Sequence, residues 1–306
     1  MIVLGIHCGF SIHTHEPGAT LSINGKIISS CEEERYLRIK EAWGRLPNYS
    51  IRNVLKIAKI KFKDIDLIVS TGITVKNYKK TLQKYFKHTF GYCPKIYLVH
   101  HQLSHVASAF YSSGFKEASC ISLDAFGDGK SGLLAEASIK NGIKIIKYID
   151  KKDSLGNFYS MATEFLGYST GDEYKVMGLA SYGKKELNLE KIISFNENIW
   201  SINQKYLRKQ KSPFEERYSE KFLKEFKKYR RKENEKININ HKNFAYSIQS
   251  STNKALLKIF KNLKQLSRFK KNVCFSGGVA LNCTSVKEVM YSNIFKNIYI
   301  PPNPSD

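Results

Sequence analysis

His101 and His105 stand four residues apart in His100-His-Gln-Leu-Ser-His-Val-Ala-Ser-Ala109, a stretch that reads as a helix. That spacing puts both imidazoles on one helical face, within reach of a single metal ion. Imidazole nitrogens suit iron, zinc or manganese, and a carboxylate would complete a mixed nitrogen and oxygen set. Asp124 is the natural third ligand: it ends the next expected strand, Ala118 to Leu123, and α/β sheets present ligands at the carboxyl ends of their strands. Two histidines so spaced also occur as ordinary satisfied polar side chains, so the aspartate gives the pair its meaning. Two glycine-rich segments follow expected strands as well, Gly127-Asp128-Gly129 and Ser276-Gly277-Gly278-Val279. Glycine lets backbone amides approach phosphate oxygens closely, and a helix start after the second adds its dipole. A tight turn explains either one alone; together they favour a nucleotide cleft between two lobes.

These residues need a scaffold, and the chain supplies one twice. Ile2 to Ile6 is a short apolar run typical of a buried strand, followed by a polar loop with His15 and then by apolar residues flanking Asn24-Gly25. That dipeptide accepts positive φ at both turn positions, which predicts a β-hairpin. Ala118 to Leu123, the loop from Asp124, and a second hairpin about Asn141-Gly142 repeat the pattern. A repeated strand, loop and hairpin predicts an internally duplicated α/β fold. Further elements are a helix over Pro47 to Ile60, strands at Ile65 to Ser70, Ile96 to Val99 and Val273 to Phe275, and a helix face from Phe244, Ile248, Ala255, Leu256, Ile259 and Phe260. The Lys-, Arg- and Glu-rich stretch 184–241 reads as a solvated helical insertion, with a phosphate-contacting arm as the alternative.

Composition narrows the class. The chain has 306 residues, 42% hydrophobic, enough for a sizeable core and too long for a mini-protein or disulfide scaffold. Lys and Arg total 50 against 27 Asp and Glu, a formal charge of +23. Such a balance attracts anions, but solvated lysine is equally compatible with a neutral role, and a nucleic-acid partner is not the expectation. The six cysteines lack CxxC spacing and read as reduced thiols. The apolar start is too short for a signal peptide, and no run reaches the roughly 18 residues of a membrane span. A soluble, cytoplasmic protein without a membrane partner is expected.

Five segments in order resemble the NodU/CmcH carbamoyltransferases: His15-Glu-Pro-Gly-Ala-Thr-Leu21 leading into Cys31-Glu-Glu-Glu-Arg-Tyr-Leu-Arg-Ile-Lys40; His100 to Ala109; Leu123 to Gly129; Asp172-Glu-Tyr-Lys-Val-Met-Gly-Leu-Ala-Ser-Tyr-Gly183; and Ser276 to Cys283. The resemblance implies an α/β transfer domain of actin/sugar-kinase (ribonuclease H-like) type, related to the ATPase that makes threonylcarbamoyl-adenosine on tRNA. It implies carbamoyl-adenylate, made from carbamoyl phosphate and ATP, as donor, and a hydroxyl of a sugar-like or secondary-metabolite acceptor. The family's metal ligands fall on His101, His105, Asp124 and Asp306, with Fe2+ favoured over Zn2+ or Mn2+, and Mg2+ accompanying the nucleotide. His15 would remove the proton of the acceptor hydroxyl, a task for which imidazole is well tuned. Arg38 and Lys40 would face phosphates, or else line an exposed strand edge. Lys175 would contact nucleotide, unless packing at Gly178 and Gly183 explains that segment. Gly127, Asp128, Gly129, Gly277, Gly278 and Asn282 complete the expected nucleotide contacts. Where relatives carry Asp after the first-loop histidine this chain has Glu16-Pro17, and Asp128 is one methylene shorter than the usual acid.

The expected division is a first lobe over 1–115 and a second over 116–306, the second incomplete because Pro301-Pro-Asn-Pro-Ser-Asp306 leaves a strand with no closing element. Relatives continue into a YrdC-like domain, which forms the adenylate, so a separately encoded one is an expected partner. The rival readings are a tRNA threonylcarbamoylation-type ATPase and a non-catalytic remnant binding nucleotide or metal.

Overall fold

The computed structural model describes residues 1–10, 14–196, 199–208 and 215–305, which fall into two compact units, 1–104 and 105–305. The first unit is built on strands β1 (Ile2–His7), β2 (Gly18–Ile23) and β3 (Lys26–Glu32). Asn24 and Gly25 join β2 to β3 with φ of 50° and 80°, both left-handed, as the dipeptide predicts. Helices α1 (Glu34–Leu37) and α2 (Asn48–Ala58), strand β4 (Leu67–Ser70), helix α3 (Tyr78–Phe90) and strand β5 (Lys95–Leu98) follow. The sheet order is β3-β2-β1-β4-β5, with β1, β4 and β5 parallel. Ile51, Val54 and Leu55 of α2 and Leu82, Tyr85 and Phe86 of α3 are buried against it with Leu4, Leu21 and Ile68.

One carboxylate organises the exit from the hairpin. Glu33, 1% exposed, accepts hydrogen bonds from the amides of Tyr49 (3.0 Å) and Ser50 (2.8 Å) and from the Ser50 hydroxyl. It thereby caps α2, whose own N-cap position is Pro47 and offers no side-chain acceptor. Glu33→Ala leaves buried amides unpaired and is expected to lower stability by about 3 kcal/mol. The midpoint of urea unfolding measures this, with Glu33→Gln falling between the two.

The boundary between the units lies inside α4 (His101–Ser112), after its first turn. The second unit continues with β6 (Glu117–Gly127), β7 (Lys130–Ser138), β8 (Gly142–Asp150), α5 (Leu155–Phe165), α6 (Glu173–Ala180), β9 (Ile193–Phe195), β10 (Trp200–Ile202), α7 (Glu220–Phe226), α8 (Ile239–Leu266), β11 (Asn272–Ser276), α9 (Cys283–Tyr291) and β12 (Asn297–Tyr299). Its five-stranded sheet runs β8-β7-β6-β11-β12, antiparallel through β6 and parallel thereafter. This is the order and orientation of the first sheet. The expected duplicated α/β architecture is therefore present at the level of strand pairing. The predicted face of α8 is fully buried.

Two segments differ from expectation. Asp124 to Gly129 is not an open loop: β6 runs on as far as Gly127, losing register with β7 after Leu123 and regaining it at Gly127 paired with Lys130. Asp128 and Gly129, with φ of 49° and 78°, form the hairpin turn. Segment 184–241 is only partly helical, and it is not merely solvated. Trp200, Tyr206, Tyr218 and Phe222 are buried in the same core as Phe165 and Phe244, with Phe165 and Phe222 edge to face at 4.8 Å. No helix among the described residues is long and apolar enough to cross a membrane.

Candidate functional site

α4 and β6 bring three chemically able side chains together. His101 and His105 are 8% and 6% exposed, and one ligand atom from each lies, with a carboxylate oxygen of Asp124, within 4.8 Å of the other two. The Nε2 of His105 is 3.8 Å from Asp124 Oδ2. That is too long for a hydrogen bond. It suits two atoms sharing an ion, since ligands about 2.1 Å from one metal stand roughly 3 to 4 Å apart. Asp124 sits where β6 breaks register with β7, and such breaks re-aim side chains. The donor set, two nitrogens and one oxygen, fits a borderline divalent cation.

The glycine segment after β11 is stitched to this aspartate. Gly278 donates its amide to Asp124 Oδ1 at 3.3 Å, and Gly277 donates to the Pro304 carbonyl at 2.8 Å. Ser276 ends β11 by donating its hydroxyl to the His105 carbonyl at 2.8 Å. Gly277 adopts φ 87°, ψ 160°, a region essentially confined to glycine. Beyond it, Asn282 caps α9 by accepting the Ser285 amide at 3.0 Å. From the other side, the Ser154 hydroxyl, which caps α5, donates to the carbonyls of Asp124 (3.1 Å) and Ala125 (2.5 Å).

The first unit holds its own polar cluster. The His15 ring packs on Trp43 with centroids 4.6 Å apart, and His15 Nδ1 is 3.3 Å from Glu16 Oε2. Backbone bonds from Glu16 to Glu41 (2.6 Å) and from Gly44 to Thr14 (2.8 Å) bind segment 14–16 to segment 38–44. Lys40 pairs with Glu41 at 3.6 Å, and Arg38 ends α1 in a left-handed conformation.

Comparison with known proteins decides the family. The profile described as "Carbamoyltransferase N-terminus" matches residues 88–306. The chain belongs to this family. It is 29% identical to nodulation protein NolNO of Sinorhizobium fredii over 100% of this chain and 48% of that protein. It is 28% identical to nodulation protein NolO of Bradyrhizobium diazoefficiens over 68% of this chain and 36% of that one. The chain thus spans about half the length of relatives it matches throughout, 48% and 54%. In fold it is similar to the activator of 2-hydroxyisocaproyl-CoA dehydratase from Clostridium difficile, with TM-score 0.54 at 15% identity over 99% of this chain and 90% of that one.

Within this carbamoyltransferase N-terminus, the residues singled out in the sequence fall into separate groups. His101, His105 and Asp124 converge with Gly277 and Gly278, whereas His15, Arg38 and Lys40 gather in the first unit. Asp306 lies outside the described residues. Asn282 is engaged elsewhere: besides its cap, its amide exchanges hydrogen bonds with Gln249, both at 3.1 Å, and Gln249 also accepts from the buried Tyr159 hydroxyl at 2.7 Å. Lys175 is exposed and pairs with Asp172 at 3.0 Å, a hydrogen bond that holds its pKa above the ordinary lysine value. A Cβ on Gly183 would overlap the Lys242 carbonyl at 2.1 Å, so close packing explains that glycine; Gly178 has open space and no such reason.

Sequence reasoning overlooked Ser154, Gln249 and Trp43. Ser154 carried a signal, a cap residue before an apolar run, and Gln249 was visible as a polar residue on the buried face of α8. Trp43 had none.

Proposed function

We propose that the chain is the acceptor-side portion of an O-carbamoyltransferase, passing the carbamoyl group of carbamoyl-adenylate to a hydroxyl of a sugar-like or secondary-metabolite acceptor. The observation that carries the reading is the cluster of buried His101 and His105 with the partly buried Asp124, which accepts a hydrogen bond from Gly278, in a chain of this family. The acceptor oxygen attacks the carbamoyl carbon, the bond from that carbon to the adenylate oxygen breaks, and AMP leaves with the electron pair. The hydroxyl proton passes to His15, whose imidazole Glu16 and Trp43 hold in place. His101, His105 and Asp124, with Asp306 as a fourth, would hold the divalent metal, which supplies Lewis-acid compensation of phosphate charge. The Gly277-Gly278 segment, the Gly127-Asp128-Gly129 turn and Lys175 would line the nucleotide site, and Arg38 and Lys40 would meet phosphate. The dehydratase activator with the similar fold is described with bound ADPNP, which agrees with a nucleotide role. The adenylate, formed from carbamoyl phosphate and ATP, would come from a YrdC-like domain.

The test supplies a YrdC-like domain, carbamoyl phosphate and ATP, and follows the mass of a panel of hydroxyl acceptors. His15→Ala is expected to lower kcat roughly 100- to 10,000-fold with little change in acceptor KM. Product formation at the unaltered rate in His15→Ala removes His15 from the mechanism; no carbamoylated acceptor with the metal bound removes the transfer reading.

A further inference from the structure

Trp43 is 40% exposed and lies outside the first unit's core, whereas the chain's other tryptophan, Trp200, is 1% exposed. An exposed indole is usually mobile, yet this one is fixed on two sides. Its Nε1 donates to Glu41 Oε2 at 2.7 Å, and its ring packs on His15 at an interplanar angle of 47°. The backbone beneath it is held in sparsely populated conformations, with φ of 56° at Glu16, 60° at Glu41 and 42° at Ala42. Strain of this kind in non-glycine residues persists only where surroundings over-determine it, and it clusters at ligand sites. Glu16 and Glu41 set carboxylate oxygens beside the aromatic pair.

Resting on the transfer reading above, we propose that Trp43 is the specificity-determining platform for the acceptor, and that it selects a saturated, polyhydroxylated ring such as a pyranose. Such a ring has an apolar face of axial C–H groups and a rim of hydroxyls. The C–H face complements the negative face of an indole, and the rim needs acceptors at its edge, here Glu16 and Glu41. Because His15 lies against Trp43, a ring stacked on the indole brings a rim hydroxyl to the imidazole. An acyclic polyol has the hydroxyls but no flat apolar face, and should be discriminated against.

Saturation-transfer NMR on the full chain with methyl β-glucopyranoside, and glycerol as comparison, reads this contact directly. Expected is transfer to the axial ring protons of the glucoside, little to glycerol, a roughly tenfold weaker glucoside signal in Trp43→Ala, and recovery in Trp43→Phe. Unchanged melting of Trp43→Ala, whose side chain is outside the core, shows that the loss is local. Absence of glucoside signal in the unaltered chain, or an equal signal in Trp43→Ala, overturns the proposal. The outcomes also separate it from the reading beneath it. Glucoside binding through Trp43 without any carbamoyl transfer sinks the transfer reading alone. Transfer whose acceptor KM is unmoved by Trp43→Ala sinks the platform alone.

Discussion

Asp124→Asn is expected to weaken binding of Fe2+, Zn2+ or Mn2+ by at least roughly 100-fold, because it replaces the anionic oxygen that faces His101 and His105 with a neutral amide. The substitution is nearly isosteric, and the Gly278 amide retains an oxygen to bond. Folding should therefore survive, and the change isolates the charge. His101→Ala and His105→Ala should act similarly, since both rings lie in the same cluster. His100→Ala separates this site from non-specific binding by a histidine-rich segment. His100 adjoins the pair in sequence, but its Nδ1 accepts the Gln102 amide at 3.2 Å, and it is not a member of the cluster. Competition titration against a chelator, with metal content by mass spectrometry, gives the order directly: unaltered chain and His100→Ala tight, the other three weak. Equal affinity across all five would mean that the three side chains do not share an ion.

What the sequence made legible here was whatever depends on neighbours along the chain. The i, i+4 spacing of His101 and His105 survives into the fold because a helix converts that spacing into one face whatever packs around it. Asn24-Gly25 likewise carries its turn chemistry within itself. Asp124 was legible as a strand-end acid, but the break in pairing that turns it toward His105 depends on β7, and the run of small and turn-forming residues looked like an ordinary loop. Asn282 shows another limit. An asparagine after a Gly-Gly pair reads as a ligand contact, and nothing along the chain reveals that Gln249, 33 residues away, and the start of α9 also engage its amide. In segment 184–241 the buried aromatics are too irregularly spaced for either period, because strand, turn and helix each contribute one or two to a single cluster. The packing of His15 on Trp43 was equally hidden, since it joins two segments through backbone bonds between strained residues.

Gly277→Ala should be among the most damaging single-methyl substitutions in the second unit. At φ 87°, ψ 160° an alanine is conformationally penalised before any contact is considered. Its Cβ would then stand 2.2 Å from the carbonyl oxygen and 2.7 Å from the carbonyl carbon of Leu123, both backbone atoms of the neighbouring strand β6. Backbone cannot rotate aside as a side chain can, so β11 must move from β6, to which it is paired from Val273 to Ser276. Conformational penalty and overpacking together are expected to lower stability by about 3 to 5 kcal/mol, or roughly 10 °C in Tm. The displacement falls beside Asp124, which follows Leu123 directly, so metal affinity should drop with stability; Asp124→Asn should lower affinity alone. Gly178→Ala is the matched control, since Gly178 lies inside α6 with nothing within 4 Å of the added carbon. There the methyl should leave Tm unchanged or raise stability by about 0.5 to 1 kcal/mol, as alanine favours a helix interior over glycine. Thermal unfolding of the two variants decides the matter. Should Gly277→Ala melt within about 2 °C of the unaltered chain, the close approach of β11 to β6 would not be rigid, and the argument that this glycine fixes the loop beside Asp124 would fall.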